Sequence, residues 1–185
     1  MKKEILKVIR YFLFFDYYPI SEEIYTFLTI KTSKKRLNEE LERLVEKKII
    51  IKIKIPKENC FRYTVGEYSI KTPNLKSQIS KKYEISKRKL KNLRFRLYIK
   101  LLSFFPQIKF VGLSGSLAMM SAKEKDDIDL FIITAKNRLF TGRFLAVIIA
   151  YLLGLKRQKG LQKAPDKVCL NLFFDESDLT VPKTK

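Results

Sequence analysis

Residues 112–134 read GLSGSLAMMSAKEKDDIDLFIIT, a small-residue turn followed by two aspartates one residue apart at the head of an apolar run. The alternation of Asp127, Ile128, Asp129 and Leu130 predicts a strand over residues 127–133, because successive strand side chains point to opposite faces. Asp127 and Asp129 then share one face, and Ile128 and Leu130 enter the core. Two carboxylates side by side repel each other and are costly when half-buried, unless a cation sits between them. A divalent metal with oxygen ligands, Mg2+ or Mn2+, removes that conflict.

Just upstream, residues 108–113 read as a short strand, Ser114-Gly115-Ser116 as a tight turn, and Leu117 to about Ala122 as a helical turn. Such a turn offers backbone N–H groups and a hydroxyl to a phosphate, and a helix start adds a favourable dipole. Ser116 and the backbone at Gly115 are the first candidates for that contact. Ser114 is a second, with a purely turn-forming role as its competing reading. Asp126 adjoins the pair, but strand alternation turns it away into a loop position. A phosphate cradle joined to a metal-holding carboxylate pair is the minimum apparatus for phosphoryl or nucleotidyl transfer.

Gly115-Ser116, ten intervening residues and then Asp127-Ile128-Asp129-Leu130 resembles the signature of the DNA polymerase beta-like nucleotidyltransferase superfamily. The resemblance covers roughly residues 108–134. It implies that Gly115 and Ser116 contact the phosphates of a nucleoside triphosphate and that Asp127 and Asp129 bind Mg2+. The family often has a third carboxylate on a later strand, and the matching position in KVCLNLFF (residues 167–174) is Asn171. An amide holds metal less tightly than a carboxylate and cannot act as a base. Three readings stay open: a two-carboxylate enzyme, a different third acid such as Asp175 or Asp178, or a degenerate site that binds without turnover. Relatives usually carry further helices after this strand. The resemblance therefore raises the expectation of a C-terminal part that is missing, truncated or supplied by a partner subunit.

Composition limits the alternatives. The 185 residues are 46% hydrophobic, enough for one or two small domains with a real core. No histidine is present, which excludes Ser-His-Asp and Cys-His nucleophilic sites and histidine-bearing zinc sites. Cys60 and Cys169 lie far apart in apolar or aromatic surroundings and suggest no disulfide framework. The opening MKKEILKVIRYFLFF is amphipathic and lacks the continuous apolar core of a signal peptide, so a cytoplasmic protein is expected. Residues 144–155, FLAVIIAYLLGL, are twelve apolar or glycine positions. A membrane span needs about 20. They read instead as part of a buried core helix over residues 137–155, and membrane association is disfavoured.

The net charge of +20, from 39 basic and 19 acidic residues, favours a polyanionic partner such as RNA or DNA, although a lysine-rich composition alone explains much of it. Clustering is more informative. Residues 71–109 hold twelve Lys or Arg and one acid, Glu84, and from about Leu75 to Phe105 they read as a single long helix. Its apolar face is drawn through Ile79, Tyr83, Ser86, Leu90, Leu93, Leu97 and Leu101. Lys87, Arg88, Lys89 and Lys91 are its candidate phosphate contacts.

Before this cluster, apolar spacing gives one helix over residues 2–15 and a second, capped by Ser21, from Glu22 to about Leu28. A third, capped by Thr32 or Ser33, runs through Leu37, Leu41, Leu44 and Val45. Two strands flank a turn at residues 56–59, with Ile51, Ile53 and Ile55 alternating against lysines in the first. Three helices followed by a hairpin resembles a winged helix-turn-helix over residues 4–65. In its DNA-binding form the third helix would offer Lys34, Lys35 and Arg36. Acids Glu39, Glu40, Glu42 and Glu46 on the same helix weaken that reading, and a protein-docking or dimerisation role stands level with it.

The expected fold is α+β: a winged-helix module over residues 1–70, a basic connector helix over 71–106, and a small mixed-sheet nucleotidyltransferase-like domain over 107–185. The expected activity is Mg2+-dependent transfer of an NMP from an NTP to an acceptor hydroxyl. The alternative is a non-catalytic nucleic-acid-binding or regulatory protein on a degenerate transferase fold.

Overall fold

The computed structural model describes residues 1–54, 60–67, 74–157 and 164–180, with the side chain of Asn171 outside the described set. The turn expected at 56–59 lies outside it as well. The protein is α+β, with seven helices among the described residues and two small sheets, one of two strands and one of three. It forms two compact units, Met1–Lys81 and Lys82–Lys185.

In the first unit, α1 (Lys2–Phe14) buries Ile5, Val8, Ile9, Phe12 and Leu13, one stripe at helical spacing. α2 (Ser21–Phe27) begins one residue earlier than expected. Ser21 is its first helical residue, not its cap, and Glu23 reaches back to accept the Ile20 N–H at 2.8 Å. Ser33 caps α3 (Lys34–Glu46) by accepting the Arg36 N–H at 3.2 Å, and Leu37, Leu41 and Leu44 face the core. β1 (Ile50–Lys54) and β2 (Phe61–Val65) pair antiparallel, from Ile50 opposite Val65 to Lys54 opposite Phe61. Arg62 is buried in β2. Its guanidinium donates to the Tyr18 carbonyl at 2.8 Å and lies over the Tyr17 ring, so its charge is used internally.

The single helix expected from Leu75 to Phe105 is two helices, α4 (Leu75–Lys91) and α5 (Leu93–Ser103). Asn92 breaks it: its side chain accepts the N–H groups of Arg94 and Phe95 and caps α5. The break re-phases the apolar face. Leu93 and Leu97 are exposed, whereas Phe95, Tyr98 and Leu102 are buried.

The second unit is built on the sheet β3 (Ile108–Leu113), β4 (Ile128–Thr134) and β5 (Val168–Asp175), in that spatial order. β3 runs antiparallel to β4, and β5 runs parallel to it. Ile128, Leu130 and Ile132 of β4 join Phe95, Tyr98 and Leu102 of α5 and Ala146, Ile149 and Ala150 of α7 (Leu139–Leu152) in one core. Tyr98 donates its hydroxyl to the Ala146 carbonyl at 3.1 Å. The apolar helix expected in the core contributes one face to it, through Gly142, Ala146, Ile149 and Ala150. Phe140, Phe144, Tyr151 and Leu152 are exposed on α7, and no helix among the described residues is long and apolar enough to cross a membrane.

β4 alternates buried and half-buried along its length. Asp129, Phe131 and Ile133 therefore lie on its more open face. Gly112, directly opposite Phe131, leaves room for that ring, since an added Cβ would sit 2.3 Å from it.

Candidate metal and phosphate site

The connection from β3 to β4 supplies most of the site. β3 ends at Leu113, and the Ser114 N–H continues the ladder by donating to the Asp129 carbonyl at 2.9 Å. The chain then turns into α6 (Gly115–Ala118), four residues that begin two positions before the expected Leu117 and end at Ala118, short of Ala122. A helix this short contributes little macrodipole, so the expected dipole contribution is largely absent.

Gly115 has φ +62°, and a Cβ built on it would lie 2.4 Å from Asp129 Oδ2. Any larger residue would be strained in that conformation and would push the carboxylate aside.

Ser116 is half-buried, and its hydroxyl donates to Asp126 Oδ2 at 2.9 Å. The same oxygen accepts the Lys123 N–H at 2.8 Å. Asp126 is thus a loop residue that orients Ser116, and its charge also acts on Asp129.

Asp127 precedes β4 and is not part of it, so the expected strand starts one residue late. Its side chain nevertheless converges with that of Asp129. A carboxylate oxygen of each and the Cys169 sulfur all lie within 4.8 Å of one another. Cys169 comes from β5, where it is the direct partner of Asp129 in the parallel ladder. Arg157, between α7 and β5, places Nη1 2.6 Å from Asp127 Oδ2.

The electrostatics follow from this packing. Burial pushes the Asp129 carboxyl above its ordinary value, and the negative charge of Asp127 adds to the rise. The Cys169 hydrogen bond and the Arg157 charge act in the opposite direction. Burial also raises the Cys169 thiol, reinforced by its hydrogen bond to Asp129. These are the environments of acids held together at the expense of their charged forms.

The third-acid candidates fare differently. Asp129 pairs with Cys169 at one end of the β4–β5 ladder and Thr134 with Asp175 at the other, about 16 Å apart at strand rise. Asp175 instead accepts from Asn137 N and from Ser177, and Asp178 accepts from Thr180, so neither reaches the pair. The ladder is irregular between Asp129 and Phe131, whose partners are Cys169 and Leu172. Cys169 is the described β5 residue that meets the aspartates.

The basic helix also takes a different role. Lys89 is buried, with its ammonium donating to the carbonyls of Glu124 at 3.2 Å and Asp126 at 2.8 Å and to Asp166 Oδ1 at 2.8 Å. It is not a nucleic-acid contact. It anchors the backbone immediately before Asp127. Ser86, fully buried, accepts the Ala122 N–H at 3.0 Å, and Arg88 forms an ion pair with Glu124. Thus α4 clamps both ends of the loop over residues 122–127. Lys87 and Lys91 are exposed, as are Lys35 and Arg36 on α3, while Lys34 pairs with Glu22 at 3.1 Å.

Sequence reasoning missed Cys169, Arg157 and the role of Lys89. A signal existed for Lys89, which lies one helical turn after Ile85 and Ser86 and so on the buried face.

Asp127, Asp129 and Cys169 are the described residues that together could hold a metal ion. In general carboxylate oxygens prefer hard ions such as Mg2+, and sulfur prefers softer ones. Comparison of the chain with protein-family models, curated proteins and solved structures gave no match.

Proposed function

We propose that the Lys82–Lys185 unit is a metal-dependent nucleotidyltransferase domain, related to the DNA polymerase beta-like superfamily, that moves an NMP from an NTP to an acceptor hydroxyl. The observation carrying this reading is the convergence of Asp127 and Asp129 beside Gly115, whose φ of +62° and lack of a side chain leave room for the Asp129 carboxylate. Mg2+ or Mn2+ held by Asp127 and Asp129 would neutralise phosphate charge. Ser116, oriented by Asp126, and the Gly115 backbone would bind the triphosphate. Lys89 would hold the Asp126 carbonyl, and with it the position of Asp127. The mixed β3–β4–β5 sheet with its covering helices is compatible with the small catalytic core of that superfamily.

Three helices and a hairpin in Met1–Lys81 support a winged-helix reading of that unit, with Lys35 and Arg36 exposed at the start of α3 for an RNA or DNA acceptor. One observation favours the non-catalytic alternative: the third donor beside the aspartates is a thiol, not a carboxylate.

The test offers each α-labelled NTP, with Mg2+ or Mn2+, to total cellular RNA and protein, beside the Asp127→Ala/Asp129→Ala variant. Label transferred by the wild type and lost in the variant supports the enzyme and identifies the acceptor class. Absence of transfer, together with nucleic-acid binding lost on charge reversal of Lys35, Arg36, Lys87 and Lys91, supports the non-catalytic alternative.

A further inference from the structure

Cys169 is 6% exposed, lies opposite Asp129 in the β4–β5 ladder, and brings its sulfur within 4.8 Å of a carboxylate oxygen from each aspartate. A buried cysteine in an apolar strand ordinarily packs as a small hydrophobe. This one meets the two aspartates. We propose that Cys169 is the third metal-ligating side chain of the site and that it biases the site toward thiophilic divalent ions, Zn2+, Co2+ and Cd2+, over Mg2+. The inference rests on the reading of Asp127 and Asp129 as metal ligands and adds the identity of the third donor and the class of ion.

The chemistry of the donors carries it. Mg2+ is hard and takes oxygen, whereas thiolate sulfur selects borderline and soft ions. Binding breaks the Cys169 S–H bond, releases its proton to solvent and forms a sulfur–metal bond. Two carboxylates and a thiolate carry one more negative charge than a divalent ion cancels. Arg157, 2.6 Å from Asp127 Oδ2, supplies the balancing positive charge beside the donors. The regular pairing of Ile128 with Val168 and Asp129 with Cys169 places Cys169 directly beside Asp129.

The experiment uses the full chain with Cys60→Ser, so that Cys169 is the sole thiol. Co2+ and Cd2+ are titrated separately while thiolate-to-metal charge-transfer absorption is recorded, and Mn2+ binding is followed by electron paramagnetic resonance. The expected result is a saturable band that disappears with Cys169→Ser, with Cd2+ affinity falling at least about tenfold and Mn2+ affinity nearly unchanged. Retained Mn2+ binding by that variant shows that it is folded. A parent protein that binds Mn2+ through Asp127 and Asp129 but gives no thiolate band would overturn the role of Cys169 and leave the metal reading standing. Failure to bind Mn2+, Co2+ or Cd2+ would overturn both.

Discussion

The two ends of the β4–β5 ladder carry carboxylates in opposite circumstances. At one end, Asp129 is half-buried beside Asp127 and its carboxyl is pushed up by burial and by that neighbouring charge. At the other, Asp175 is held low, chiefly by hydrogen bonds from the Ser177 hydroxyl and N–H, with the Asn137 N–H adding to them. Asp175 behaves as an anchor for the adjoining turns, its ionised form satisfied by groups of the chain. Asp129 is held where burial, and after it the charge of Asp127, penalises its ionised form. Like-charge crowding of this kind persists in a fold when the group serves something besides stability.

The largest effect that separates the two ends concerns the proposed activity. On that proposal, Asp127→Ala/Asp129→Ala is expected to lower nucleotide transfer by at least about a thousandfold, whereas Asp175→Ala is expected to leave it near the wild-type rate. Initial rates with α-labelled NTP measure both. Equal losses at the two ends would remove the distinction.

Gly115→Ala comes next. Its left-handed backbone alone costs about 1–2 kcal/mol with any other residue, and the added methyl displaces Asp129. We expect a lower Tm and metal affinity reduced in parallel, the first read by calorimetry and the second by Mn2+ titration. Lys89→Met leaves the carbonyls of Glu124 and Asp126 without their buried donor and should cost about 1–3 kcal/mol in urea unfolding. Lys87→Met, on the exposed face of the same helix, should leave the midpoint almost unchanged.

The smallest effect is the most specific, and it has opposite signs at the two ends. A carboxyl raised in the folded state costs stability above its folded pKa, and the cost vanishes as pH falls through the acid range. Asp129→Asn therefore raises the Tm of the metal-free protein at neutral pH, and the gain shrinks on acidification. Asp175, lowered, contributes stability above its unfolded pKa and loses it as pH falls through its folded one. Asp175→Asn lowers the Tm at neutral pH and has no effect once the carboxyl is protonated. Thermal melts across the acid range compare the two.

Much of the site was legible because it is local in sequence. The Gly-Ser turn and the aspartate pair lie within residues 112–134, and the pair converges although only Asp129 is in β4. The rest depended on contacts between distant segments. Cys169 sits in VCLNLFF and reads as core, and only the pairing register of β5 brings it to Asp129. Arg157 reads as one of a run of basic residues after an apolar helix. Lys89 is surrounded by surface lysines, and its burial requires the 122–127 loop to be packed on it. The helix break was written in the sequence, since Asn is a strong N-cap, but the basic and apolar pattern ran through it without interruption.

The central claim is that Asp127 and Asp129 bind a divalent cation together with a nucleoside triphosphate. Its most direct test is calorimetric titration of a non-hydrolysable ATP analogue into the full chain, with and without Mn2+, alongside Asp127→Asn/Asp129→Asn. The account predicts saturable binding that requires Mn2+ and is lost in the variant while its fold, followed by circular dichroism, is kept. Binding that is indifferent to the metal and to both aspartates, or no binding by the wild type with Mn2+ present, would contradict it.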